Sequence, residues 1–406
     1  MPAARPRLAI IWLTVFIDLI GFGIVIPILP FYSARFGAHG MGYGALIGAF
    51  SLMQFFSTAL LGRLSDRVGR RPILLATMVL NAAGYLLFAF APSFLVLLVA
   101  RLIAGFAGGN ISAAQAYVAD ITSASERSKG MGVIGMAFGL GFIFGPGIGS
   151  IAARLGGHAA PGLVAASLSV VNLLTAFFIL PESLRAEHRA VRDLWPFGHM
   201  AEALAHRQLR PLMLVWLITP FAFAAYTVAL PLWATTTLHW HEQELGIFFV
   251  VVGLVAAFVQ GGLFRLLTRV VSDRRLLITG MMGMALSIAV VPFLAHNATL
   301  YAWTVVLAFS NSIMSPAATG LVSTFAAADE QGTVLGVAQS LGALGRFTGP
   351  FVIGVVYDWT SPLAAFLVAG GAMLVGWAAS LGVPKPRRPD AQVDAQPPSR
   401  RVDAEA

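Results

Sequence analysis

The chain has 406 residues, 58% of them hydrophobic and only 11% charged, with a mean hydropathy of +0.81. Ordinary soluble domains carry about 25% charged residues, so a water-soluble helical protein is excluded: it could not place this much apolar sequence. The net charge of +8 comes with no cysteine, which excludes disulfides, thiolate chemistry and Cys-based metal sites.

About 20 mostly apolar residues cross a bilayer as a helix. Twelve stretches qualify in chain order: 8–29, 43–61, 72–91, 94–119, 131–153, 163–180, 212–233, 245–267, 276–294, 300–324, 332–357 and 363–383. The first is too long for a signal-peptide core and lacks a small-residue cleavage site, so it reads as a retained helix. Of the 26 Lys and Arg, Arg35 and Arg154 fall on one side of these spans and Arg101 and Arg346 inside them; all others fall on the opposite side. The positive-inside bias puts both termini in the cytoplasm, as an even number of spans requires. The positive charge is this asymmetry rather than a nucleic-acid footprint.

Ionisable residues in hydrocarbon are expensive and functional by default. Asp18, ten residues into span one, lies about 15 Å deep at 1.5 Å rise per residue and is the only carboxylate well inside a span. It reads as a proton carrier, against a static ion pair or a helix-bound hydrogen bond. Arg101 in span four lies roughly 10 Å from the outer surface, a depth at which it can meet Asp18. Arg346 lies about 21 Å into span eleven; it is a counter-charge, a substrate anchor or a packing residue, with counter-charge favoured. The polar residues Gln54, Asn110, Gln115, Tyr226, Gln260, Asn311 and Gln339 are substrate-cavity candidates or interhelical glue.

Between spans two and three, Gly62-Arg63-Leu64-Ser65-Asp66-Arg67-Val68-Gly69-Arg70-Arg71 forces antiparallel neighbours. Asp66 is expected to pair with Arg70 and to accept hydrogen bonds from the start of span eleven, where the helix N-terminus favours an anion. Span five carries Gly141, Gly145 and Gly149, a four-residue stripe for close helix approach, and Pro146, which removes a helix hydrogen bond; a packed, kinked helix between two halves is expected. A repeat lays Glu126 through Gly145-Pro146 on Glu330 through Gly349-Pro350, and Leu29-Pro30-Phe31-Tyr32 weakly echoes Leu230-Pro231-Leu232-Trp233. Parallel repeats point to two halves with a site between them. The expected division is an N-terminal bundle at 1–184, a polar linker at 185–210, a C-terminal bundle at 211–384 and a disordered tail at 385–406. His239-Trp240-His241-Glu242 finds no second cluster to complete a metal site, and no converging nucleophile or acid suggests an enzyme.

The ten-residue loop resembles the signature loop between the second and third helices of major facilitator superfamily transporters. The segment Gly139-Leu140-Gly141-Phe142-Ile143-Phe144-Gly145-Pro146-Gly147-Ile148-Gly149 resembles the antiporter motif of that superfamily's drug/proton antiporters. With Asp18-Leu19-Ile20-Gly21-Phe22-Gly23, Arg101-Leu102-Ile103-Ala104-Gly105, Ala114-Gln115-Ala116-Tyr117-Val118-Ala119-Asp120 and Leu180-Pro181-Glu182-Ser183, the N-terminal half looks like the tetracycline/proton antiporter group. The C-terminal half matches mainly in Pro316-Ala317-Ala318 and Gly349-Pro350. It departs in spans eight and nine: Ala256 and Met284 stand where that group typically has a histidine and an aspartate, although Gln260 fits one of its glutamines.

The resemblance implies an all-α integral membrane protein, with twelve transmembrane helices in two pseudo-symmetric six-helix bundles around a central cavity. It implies proton-coupled efflux of a small amphipathic drug, tetracycline or a related compound, by alternating access. An uptake symporter or a metabolite exporter of the same fold is the rival reading. Asp18 and Arg101 would couple protons; Gly62, Asp66, Arg67, Gly69, Arg70, Arg71 and Asp120 would gate; Gly141, Gly145, Pro146 and Gly149 would form the antiporter motif. The expected setting is a bacterial cytoplasmic membrane, as a monomer, with substrate, protons and lipid as partners, no nucleic acid, and the proton gradient in place of any cofactor.

Overall fold

The computed structural model describes residues 4–122, 127–184, 208–294, 296–325 and 331–385. Most of the linker and the tail expected from the sequence lie outside the described residues, as do residues 326–330 ahead of span eleven. The rest is helical, with no strand among the described residues. Among the described residues, eleven helices are long and apolar enough to cross a membrane; the remaining predicted span, 131–153, falls within the 30-residue helix Arg127–Gly156.

Span one is Ala4–Val25, followed by the short helix Leu29–Ala34. Spans two and three are Gly40–Val68 and Arg70–Ala89. Span four joins Phe94–Ala107 to Ile111–Ile121 through a 3-10 turn at Gly108–Asn110. Spans five and six are Arg127–Gly156 and Ala159–Ile179. Span seven runs Arg210–Ala224, a π turn at Ala225–Ala229, then Leu230–Thr237. Span eight likewise breaks into Glu242–Phe258, a π turn at Val259–Leu263, and Phe264–Val270. Spans nine to twelve are Asp273–Val290, Asn297–Phe325, Gln331–Trp359 and Pro362–Leu381. Short polar caps start several of them: Ser93 Oγ accepts from Val96 N–H at 3.4 Å and Ser361 Oγ from Ala364 N–H at 3.1 Å, each satisfying an orphan helix donor.

One correction concerns the loop between spans two and three. It was expected to run from Gly62 to Arg71, but helix continues to Val68 and resumes at Arg70. Gly69 alone makes the turn, at φ 120° and ψ 157°, a conformation closed to residues with a Cβ. Three residues on, Pro72 sits in the first turn of span three, where its missing N–H costs nothing.

The glycine stripe of span five was expected to let another backbone approach closely. That backbone is span one of the same half: a Cβ on Gly145 would stand 2.6 Å from the Gly23 Cα, and one on Gly141 would stand 2.6 Å from the Leu19 Cβ. Another face of span five meets span eight, where Gly253 admits Ile143 and Gly246 touches Ser150. The repeat explains this division. Gly345 and Gly349, the counterparts of Gly141 and Gly145, press on Leu217 and Phe221 of span seven, so the Gly-Pro motif makes the same packing in both halves.

Candidate functional site

Side chains near the middle of the spans and at both ends of the bundle define the site. In span one, Asp18 accepts from Asn110 Nδ2 at 2.6 Å and from Asn172 Nδ2 at 3.3 Å, and the Asn81 amide lies beside its carboxyl group. Asn172 is anchored by a second bond, to the Thr14 carbonyl at 3.1 Å. Three amides from spans three, four and six thus converge on one carboxylate. The Gly108–Asn110 turn in span four helps to place Asn110.

Arg101 does not pair with Asp18, contrary to expectation. Its guanidinium lies 4.8 Å from the Phe50 ring centroid and 5.9 Å from that of Phe22, and its Nε donates to the Leu46 carbonyl at 3.4 Å. Rotation about each helix axis was not legible from spacing. Stacking on two aromatic faces is a favourable alternative to an ion pair for a buried guanidinium.

Arg346 in span eleven shows no ion pair and no hydrogen bond among the described residues, so the counter-charge reading finds no acid to answer it. Its Nη1 and the Trp216 ring both lie against Gly342: a Cβ there would be 3.5 Å from Nη1 and 3.3 Å from Trp216 Cε3. The Trp216 Nε1, Thr219 Oγ1 and Tyr226 hydroxyl are buried without a hydrogen-bond partner. Among the remaining candidates, Gln54 Nε2 donates to the Gly108 carbonyl at 3.2 Å, Asn311 is half-buried, and Gln115, Gln260 and Gln339 are exposed.

At the end where spans two and three meet, Arg70 is the hub. Its Nη1 lies 2.6 Å from Asp66 Oδ1 and donates to Ser65 Oγ at 2.6 Å, while its Nε reaches Asp120 Oδ2 at 3.1 Å. Ser183 Oγ donates to the same Asp120 oxygen at 2.8 Å. Glu182 caps span three, accepting from the backbone N–H groups of Arg70 at 2.9 Å and Arg71 at 3.2 Å. Arg71 Nη2 donates to the Phe177 carbonyl at 2.6 Å. The ends of spans two, three, four and six are thereby cross-braced, and Gly62 packs against Ser112 of span four. Sequence reasoning left Glu182 out of the gating set, although Leu180-Pro181-Glu182-Ser183 was its signal. The expected contact of Asp66 with the start of span eleven falls beside residues 326–330, outside the described residues.

The opposite end carries contacts across the two halves that the sequence did not announce. Asp358, the penultimate residue of span eleven, accepts from the backbone N–H of Gly40 at 2.8 Å and of Met41 at 2.7 Å. A carboxylate thus sits on the N-terminus of span two, where free N–H groups and the macrodipole favour it. Beneath it Gly40, Gly44 and Gly48 touch Gly354, Pro350 and Phe347 in turn. The Tyr43 hydroxyl donates to the Thr227 carbonyl at 2.7 Å, within the π turn of span seven, a distortion of the kind that gathers at functional sites. Ser150 Oγ of span five donates to the Glu242 carbonyl at the start of span eight at 2.9 Å.

Two helical halves joined at one end by close glycine contacts, with a midspan carboxylate in one and a midspan arginine in the other, fit a polytopic membrane transporter. The profile of the Major Facilitator Superfamily matches residues 11–276 and 212–403, and the chain belongs to that family. It is 30% identical over 352 residues to the tetracycline resistance protein, class C, of Escherichia coli, covering 85% of this chain and 88% of that one. It is 29% identical over 375 residues to multidrug resistance protein 2 of Bacillus subtilis, covering 89% and 91%. The crystal structure of the human organic anion transporter MFSD10 superposes with a TM-score of 0.70 at 26% identity, covering 94% of this chain and all of that one.

Proposed function

We propose that this chain is a proton-coupled antiporter that exports a small amphipathic compound across a bacterial cytoplasmic membrane by alternating access, with Asp18 carrying the proton. The observation that carries the reading is the Asp18 environment. The only carboxylate well inside a span is held by amide side chains, with no guanidinium on it. Amides keep its oxygens in place in either charge state, so the group can load and release a proton without losing its position. With both termini in the cytoplasm, the Asp358 end is periplasmic, and its joined halves describe a conformation closed to the periplasm. The Arg70 hub then braces the cytoplasmic ends of the N-terminal bundle so that it moves as one body.

The relatives named for tetracycline and multidrug resistance support export, while Ala256 and Met284 argue for a compound other than tetracycline. The protein works as a monomer, without a cofactor, on the proton gradient. Linkage is reciprocal: in an antiporter, substrate binding expels a proton and low pH weakens substrate binding. The test follows substrate-driven proton movement in inverted vesicles, using a substrate found by screening compounds for raised inhibitory concentrations in an efflux-deficient host. Proton release on adding substrate supports antiport; proton uptake, with tighter binding at low pH, overturns it in favour of an uptake symporter. Asp18→Asn should abolish proton-driven accumulation while the protein still inserts in the membrane, and unchanged coupling would remove Asp18 from its role.

A further inference from the structure

The repeat gives the two halves a common frame. Gly141 rests on Leu19 and Gly145 on Gly23; Gly345 rests on Leu217 and Gly349 on Phe221. In this frame Trp216 of span seven takes the place that Asp18 holds in span one. The chemistry of the two places is opposite. Around Asp18 an acceptor is surrounded by amide donors. Around Trp216 the indole Nε1 and the Thr219 hydroxyl one turn away are buried and unpartnered, and the acceptor on the Gly342 face is the Trp216 carbonyl, which Pro220 leaves without its helix donor. The Arg346 guanidinium lies against the same Gly342 face as the Trp216 ring.

Arginine and the indole nitrogen can only donate, and a buried donor left unsatisfied is costly. The group that satisfies all three is rich in lone pairs and negative. Water would serve the hydroxyl and the indole but would leave the guanidinium charge unanswered, and a cationic group is repelled.

We propose that Arg346, Trp216 and Thr219 form the subsite for an oxyanion, a carboxylate or its equivalent, on an aromatic substrate, so that the exported compound carries its negative group into the C-terminal half. The proposal deepens the transport reading and rests on it for the direction of movement. An anion alone would favour a proton on Asp18, the opposite of exchange. The substrate therefore also carries a cationic or donor group, which faces Asp18 and competes there with the proton. One zwitterionic molecule then satisfies both halves. The human relative described as an organic anion transporter fits the negative end of this assignment.

The test measures binding to purified protein in lipid nanodiscs at a fixed pH, with a series of aromatic amino acids such as 2-naphthylalanine and the matching primary amides. Each pair keeps the ammonium and the ring and differs only in the oxyanion. The carboxylates are expected to bind about ten-fold or more tightly than their amides, since hydrogen bonds to a charged group are the strong ones. Arg346→Gln should bring the carboxylate down to the level of its amide, Arg346→Lys should restore part of the preference, and Trp216→Phe should reduce it less. Equal affinity within the pairs, no binding by any carboxylate, or a preference that survives Arg346→Gln overturns the proposal. Asp18→Asn should keep the preference while losing the pH dependence of binding. A wrong antiport reading would reverse the pH slope with the preference intact, so the two failures are distinguishable.

Discussion

Replacing Asp358 with alanine removes the acceptor that holds the N-terminus of span two to the end of span eleven. The carboxylate takes two backbone hydrogen bonds, at 2.8 and 2.7 Å. Hydrogen bonds to a charged group contribute about 1.5–3 kcal/mol when buried, and the helix dipole adds about 0.3–1 kcal/mol near the surface. Gly40 is buried but Met41 is exposed, so water recovers most of one bond. A net loss of about 1–2 kcal/mol follows, which moves the ratio of closed to open states at this end by about 5- to 30-fold. The glycine contacts at Gly44 and Gly48 remain, so the protein still folds. The chain has no cysteine, so a spin-label pair at Ala34→Cys and Thr237→Cys, both exposed and on opposite halves, reports the opening without background. Pulsed distance measurements should show a longer-distance population that grows in Asp358→Ala and grows less in Asp358→Asn, which keeps one acceptor. Distance distributions identical to wild type would refute the assignment of Asp358 as a latch between the halves.

Asp66→Asn weakens its pair with Arg70 and should slow transport while leaving substrate binding measurable; an unchanged transport rate would remove the gating role. Gly69→Ala places a Cβ at φ 120° and against the Glu182 carboxylate, so the thermal midpoint in detergent should fall, by an amount corresponding to about 1–3 kcal/mol for such backbone strain. Gly145→Val drives methyl groups into the Gly23 backbone, and overpacking of this kind costs about 1–3 kcal/mol or more; the yield of monodisperse protein on size-exclusion chromatography should drop. Substrate affinity should rise with pH in wild type, because a protonated Asp18 competes with substrate, and the slope should vanish in Asp18→Asn; titration calorimetry across pH 5 to 9 checks both.

Much of this molecule was readable before any tertiary contact was known. The bilayer demands long apolar helices, so composition was enough for the spans. The repeat around Gly145-Pro146 and Gly349-Pro350 announced two related halves because close helix packing needs small residues at fixed spacing. Asp18 stood out as a carboxylate within an apolar span because its neighbours in sequence are apolar on both sides.

Rotation and partnership were not readable. Spacing could not tell that Arg101 turns to Phe50 and Phe22 rather than to Asp18, nor that the glycine stripe of span five faces span one. Asp358 looked like an ordinary acid at a helix end until folding brought residues more than 300 positions apart into hydrogen-bonding distance. Arg346 was placed in an apolar span by the sequence alone; the tertiary structure decided that no acid among the described residues meets it and that Trp216 lies beside it. A side chain's depth is a property of its own helix, whereas its partner is fixed by how two helices are rotated against each other, and that is settled only when the bundle packs.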